Sequence, residues 1–252
     1  GYGMPSFTLL GSSVIRLPFI PYTSLGHEIA HNWWGNSVFI DSSLGNWSEA
    51  LTTYSSDYLY EKMKGPDKAK EFREAKLRGY KNFAQKSPVS LSSFRDATDT
   101  ESRTVGYNKG VMLFNMLEER LGKETFRKGL RHFSSDNAFK RATWADIQAA
   151  FETASGEPLK WFFDQWLKLP GGPSLKLAGA EVNEAAAKYT VSFRVELSGG
   201  AYALDLPVLF ETESGPVWKT FSVEAASNEL TTELGSKPLS IEIDPDFQNF
   251  RI

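Results

Sequence analysis

The chain has 252 residues, 41% of them hydrophobic and 13% aromatic, with a net charge of −3 and no cysteine. The absence of cysteine excludes disulfides and thiolate metal sites, and the charge gives no general affinity for nucleic acid or an anionic membrane. The length is ample for a buried core and leans towards two domains. No run of about eighteen apolar residues offers a membrane-spanning helix. No signal peptide is visible, and the start at Gly1-Tyr2-Gly3 without an initiator Met reads as a processed or excised piece of a longer protein. The compartment is therefore left unknown.

Residues 1–23 carry short apolar runs, Phe7 to Leu10 and Ser13 to Leu17, broken by Gly11 and three prolines. They read as strand or extended segments. A helix is expected from Ser24, capped by Ser24 or Thr23, through Trp34, with Gly35 as its stop. Within it lies His27-Glu28-Ile29-Ala30-His31. Positions four apart share one helix face, about 6 Å between side-chain roots, so His27 and His31 can aim their ring nitrogens at one metal ion. Glu28 sits one step round the helix, near that ion but not on it. This is the H-E-x-x-H spacing of zinc peptidases, two ligands and a general base. Two of the chain's three histidines are spent here. Glu49 follows at the start of a second apolar helix, expected from Ser48 to about Met63, and supplies a third ligand. Two His, one Glu and a water make the open tetrahedral site of a catalytic zinc.

From Asp67 to Lys86 the pattern is helical and basic and reads as a solvated helix face. A polar loop leads from Ser87 to Asp99. Helices are then expected over Val105–Leu121 and Lys123–Phe133, from the Thr143 N-cap to Ala154, and from Glu157-Pro158 to before Pro170. His132 has no acidic or histidine companion at ligand spacing and reads as structural or surface. Beyond Pro170-Gly171-Gly172-Pro173 the period changes to alternation, as in Lys188 to Leu197, Pro207 to Glu211, Lys219 to Val223 and Ser240 to Asp244. Strands at this spacing indicate a small β-sandwich, residues 173–252, which carries no chemical constellation of its own.

Residues 24–172 resemble the helical part of the aminopeptidase N family of zinc metallopeptidases, the gluzincins that include leukotriene hydrolase. His27 through Asn36 is similar to the family's zinc helix and its exit. Trp47-Ser48-Glu49-Ala50 resembles its W-x-N-E-G, Tyr54 falls where the family has tyrosine, and Gly106-Tyr107-Asn108-Lys109-Gly110 resembles its Y-E-K-G. Phe126 to Leu130 and Phe163 to Leu167 follow the family's run. The resemblance implies an α+β multidomain chain: a mostly helical, thermolysin-like catalytic domain over 1–172, lacking upstream family domains, then the β-sandwich. It implies one Zn2+ per chain on His27, His31 and Glu49, with Glu28 as general base and peptides or proteins as substrates. It also implies that Tyr107 stabilises the oxyanion, a role that spacing alone does not supply.

Four departures from the family pattern bear on function. Seventeen residues separate His31 from Glu49, one fewer than usual. Ser48 and Ala50 replace the family's Asn and Gly. Ser56 stands where the family has an acid behind the metal ligands, with Asp57 one position later, so the partner that orients His27 is unassigned. In Tyr2-Gly3-Met4-Pro5-Ser6, Pro5 takes the place of the glutamate that binds a substrate's free amino group in the family's G-x-M-E-N. Three readings follow. The leading one is a zinc metallopeptidase with altered end recognition. The others are a true aminopeptidase with an acid from elsewhere, for example Asp96, Asp99 or Glu101, and a binding or scaffold domain with a vestigial site.

Overall fold

The computed structural model describes residues 1–185 and 188–252. The chain divides into two compact units, Gly1–Gly171 and Gly172–Ile252.

The first unit is mainly helical. It opens with a hairpin of β1 (Tyr2–Met4) and β2 (Phe7–Leu9), whose turn is Pro5-Ser6. Ser13 to Leu17, expected as strand, forms turns closed by backbone bonds such as Val14 N to Gly11 O. Helix α1 spans Ser24–Ala30, and the chain turns through Trp34 to Gly35, whose φ of +131° only glycine adopts easily. The helix is shorter than expected because the chain tightens after it: Asn32 N bonds Ile29 O and Trp33 N bonds Ala30 O, three residues back, and the loop then closes through Asn36 N to His31 O and Val38 N to Trp33 O. β3 (Phe39–Ile40) pairs in parallel with β4 (Arg141–Ala142).

The second helical stretch runs as α2 (Ser48–Thr53), a π-helical turn over Tyr54–Tyr58, and α3 (Leu59–Lys64). Helix α4 (Pro66–Phe83) starts on a proline, which needs no amide partner there, and buries Ala69, Arg73, Leu77 and Tyr80 at helical spacing. The basic helix is thus not wholly a solvated face. Arg73 is buried and donates to the Tyr58 hydroxyl, and Lys76 is half-buried.

Helix α5 (Thr100–Arg103) carries a capping box between Asp99 and Ser102 and passes into a second π-helical turn, Thr104–Lys109. Helix α6 (Gly110–Leu121) buries every residue from Gly110 to Leu117, so it is the hydrophobic axis of the unit. Around it pack α7 (Lys123–Asp136), α8 (Trp144–Ser155), which has the expected Thr143 cap, and α9 (Lys160–Lys168). Phe114, Phe126, Phe133 and Phe151 are almost wholly buried. Each large apolar side chain of this kind stabilises the fold by about 1.5–3 kcal/mol.

A polar knot fixes the helix that carries Glu49 onto α6. Tyr54 donates to Glu118 Oε2 at 2.6 Å, Tyr58 donates to Asn115 Oδ1 at 2.8 Å, and Lys62 pairs with Glu118. Gly110 permits close approach, since a Cβ there would lie 2.4 Å from that of Ala50.

The second unit is all β. One antiparallel sheet has the order β5 (Ser174–Ala185), β6 (Lys188–Ser198), β9 (Ser227–Leu234). The other has the order β10 (Pro238–Ile243), β7 (Leu204–Thr212), β8 (Gly215–Val223). Alternate residues Val191, Phe193, Val195 and Leu197 of β6, and Leu204, Leu206, Val208 and Phe210 of β7, are buried. The two apolar faces meet at Phe193, whose ring centroid is 5.8 Å from that of Phe210 and 5.2 Å from that of Phe221. This is the arrangement that strand alternation demands.

Candidate metal centre and active-site cleft

His27, His31 and Glu49 come together as the sequence pattern requires. One ligand atom from each lies within 4.8 Å of the others, and among the described residues this is the one such group. Glu49 Oε2 is 3.2 Å from His27 Nε2 and 3.5 Å from His31 Nε2, so both imidazoles face the same carboxylate oxygen with the same nitrogen.

The opposite nitrogens are held from behind. His27 Nδ1 meets Asp57 Oδ2 at 2.8 Å, and His31 Nδ1 donates to the Trp34 carbonyl at 2.9 Å. These acceptors keep a proton on each Nδ1, so Nε2 is the nitrogen that can shed its proton and turn a lone pair towards a metal. Ser48, where the family has Asn, donates its hydroxyl to the same Trp34 carbonyl and lies 3.2 Å from His31 Nδ1. The substitution thus still braces His31.

Asp57 reaches His27 because of the π turn. In an unbroken α-helix the residue seven after Glu49, Ser56, would share its face. The wider turn absorbs one extra residue and passes that face to Asp57, while the buried Ser56 hydroxyl bonds back to Thr52 O at 2.7 Å. This resolves the partner of His27 that the sequence left unassigned.

The electrostatics call for positive charge. Burial opposes charge on His27, yet Asp57 and Glu49, one at each ring nitrogen, outweigh it and raise its pKa to about 9. Burial would likewise push Glu49 up, but hydrogen bonds from His27 and His31 hold it far below the usual carboxylate range. Two imidazole nitrogens and one carboxylate oxygen, converging and oriented from behind, form a donor set that fits zinc.

Beside these three side chains lies a cleft of about 340 Å³, lined among others by His27, Glu28, Asp57, Lys76, Arg103 and Tyr107. Glu28 is buried to 9% exposure and is not in the metal group. The Tyr107 ring stacks on His27, with centroids 5.9 Å apart and planes within 13°. Burial raises the Tyr107 pKa, and the neighbouring Glu49 carboxylate, which its hydroxyl meets, raises it further. The phenol therefore stays protonated as a donor.

The hairpin carrying the altered G-x-M-E-N runs along α1: a Cβ on Gly3 would lie 2.5 Å from the Glu28 carbonyl, and Asn36 donates to Gly3 O at 3.0 Å. Pro5 sits at the exposed hairpin turn. The candidate substitutes for its missing carboxylate are engaged elsewhere. Asp99 caps α5, Glu101 accepts from Ser87, and Asp96 accepts from Ala97 N. None of the three lines the cleft. His132 is half-buried on α7 and is not in the metal group. Lys76 and Arg103 also line the cleft, and no motif or spacing in the sequence singles them out.

The model of the peptidase family M1 domain matches residues 22–166. Aminopeptidase M1-A of Oryza sativa subsp. japonica is 32% identical over 59% of this chain and 18% of its own length. Aminopeptidase M1 of Arabidopsis thaliana is 27% identical over 77% of this chain and 24% of its own length. The tricorn protease-interacting factor F2 of Thermoplasma volcanium is 24% identical over 82% and 27%. A crystal structure of Legionella pneumophila aminopeptidase A in complex with aspartic acid matches with a TM-score of 0.64 at 21% identity, covering 89% of this chain and 26% of that one. It speaks for the fold.

The chain belongs to peptidase family M1, the aminopeptidase N family of metallopeptidases that its motifs resemble. It spans about a fifth to a quarter of the length of these curated relatives.

Proposed function

We propose that the helical unit is a zinc-dependent peptide hydrolase in which His27, His31 and Glu49 hold the metal, Glu28 is the general base and Tyr107 stabilises the oxyanion. The observation that carries this reading is the convergence of both His Nε2 atoms on Glu49 Oε2, with Glu28 and Tyr107 lining the adjoining cleft. Zinc in such a site lowers the pKa of bound water towards about 7 and polarises the scissile carbonyl.

Glu28 takes the proton as water attacks the peptide carbonyl, and then returns it to the departing nitrogen. The Tyr107 hydroxyl, kept protonated by burial and Glu49, donates to the oxygen on which negative charge grows. Asp57 and the Trp34 carbonyl keep both histidines presenting Nε2 inward. The two compact units are, in this reading, the catalytic domain and the β-domain. With Pro5 in the place of the amine-binding glutamate, the chain acts as a metallopeptidase with little preference for a free N-terminus.

The test is metal analysis combined with peptide hydrolysis. His31→Ala should lose most of its zinc. Glu28→Gln should keep its zinc and lose hydrolysis. Full zinc retention in the first variant, or turnover at the parent rate in the second, sinks the assignment. The same pair of measurements excludes the vestigial-site reading if the parent chain binds zinc and cleaves.

A further inference from the structure

Two cations share the cleft wall. Lys76 stands on α4 and is half-buried, and Arg103 closes α5 and is exposed. Both positions are fixed. Asn108, next to Tyr107, donates to the Lys76 carbonyl at 3.1 Å, and Gly79 leaves room for it, since a Cβ there would lie 2.7 Å from Asn108 Nδ2. Lys76 Nζ lies 4.6 Å from the centre of the Phe72 ring. The Arg103 guanidinium lies 4.6 Å from the centre of the Tyr107 ring.

Among the described residues, no carboxylate forms an ion pair with either cation. The acids that also line the cleft are Glu28 and Asp57, and Asp57 is held by His27 at 2.8 Å. Burial depresses the Lys76 pKa, the Asp57 charge raises it, and Arg103 depresses it again, as expected for two like charges near each other. A half-buried ammonium beside a guanidinium is unfavourable unless an anion joins them.

We propose that Lys76 and Arg103 form an anion-binding subsite next to the scissile bond, taking a carboxylate of the substrate peptide. This rests on the peptidase reading of the same cleft. The carboxylate comes from an acidic side chain on one side or the other of the cleaved bond, or from the peptide C-terminus. The same two cations disfavour a substrate ammonium, in keeping with Pro5 where the family has its amine-binding acid.

The experiment uses the full zinc-loaded chain and three matched peptide pairs: Glu against Gln before the scissile bond, Glu against Gln after it, and a free C-terminal carboxylate against its amide. In one pair the anionic member should be cleaved with at least tenfold higher kcat/KM at low ionic strength, and the ratio should shrink with salt. Lys76→Gln and Arg103→Gln should each lower that ratio fivefold or more, and Lys76→Glu should bring it below one. If these side chains serve only the fold, both members of each pair slow together and the ratio stays, which overturns the proposal. A ratio near one in all three pairs does the same.

Binding of the same pairs to zinc-loaded Glu28→Gln protein, read by calorimetry, separates the two readings. A preserved anionic preference without parent turnover would remove the peptidase reading and keep the subsite. Turnover without any preference in rate or binding would remove the subsite alone.

Discussion

Asp57 Oδ2 sits 2.8 Å from His27 Nδ1, one residue later along the chain than an unbroken helix from Glu49 would place it. A π turn makes the difference, and it makes the acid specific to its position. Asp57→Asn should weaken zinc binding about 10–100-fold, measured by chelator competition. The exchange Ser56→Asp with Asp57→Ser should not restore affinity, because the carboxylate then points along the buried Thr52 side of the helix. Parent-like affinity in the exchanged protein would show that the register is not fixed by the turn.

Tyr107 stands over His27 with its hydroxyl against Glu49. Tyr107→Phe should keep the metal and lower kcat by roughly 10²–10³, the usual cost of one oxyanion donor. Steady-state kinetics on a neutral peptide decide it, and an unchanged rate would remove the tyrosine from the mechanism.

The substrate's free amine carries a positive charge, and burying it without a carboxylate is costly. Asp96, Asp99 and Glu101 are engaged away from the cleft. One peptide compared with its acetylated form should therefore be cleaved at near-equal kcat/KM. A hundredfold loss on acetylation, about 2.7 kcal/mol of transition-state binding, would reveal an amine-binding acid.

Gly110 lets the Tyr107 segment lie against the Glu49 helix. Gly110→Ala puts a methyl 2.4 Å from the Ala50 Cβ, and overpacking of this kind costs about 1–3 kcal/mol. Thermal or denaturant unfolding should show that loss, and Ala50→Gly in the same chain should recover part of it. Additive losses would mean that the two residues do not meet.

Lys109 is buried, and its ammonium donates to Leu169 O at 2.5 Å and Gly171 O at 2.9 Å. Burial lowers its pKa from 10.5 to about 7. Between those values the unfolded chain binds a proton that the folded chain does not, so stability rises with pH from about 7 to about 10. Denaturant midpoints of the parent should increase over that window more than those of Lys109→Met. Parallel curves would mean that Lys109 does not titrate differently on folding.

The approach of His27 to His31 was legible in the sequence because helical spacing is local physics: residues four apart along α1 and its cap must share a face, whatever surrounds them. The change from helical to alternating period near Pro170 is local in the same sense: the helices end with α9 at Lys168 and the strands begin with β5 at Ser174. Capping chemistry likewise placed Thr143 at the head of α8.

Tertiary structure decided the rest. Only the π turn selected Asp57 over Ser56, since an extra residue in a helix leaves no mark in composition or period. Tight turns onto Ile29 O and Ala30 O, followed by loop bonds from Asn36 and Val38, ended α1 at Ala30, where the sequence pattern ran on to Trp34. Lys76 and Arg103 lie 27 residues apart in the sequence, where Lys76 reads as part of a solvated helix face and Arg103 carries no pattern. They line one cleft because Asn108 fastens α4 to the Tyr107 segment, a long-range contact that no local pattern encodes.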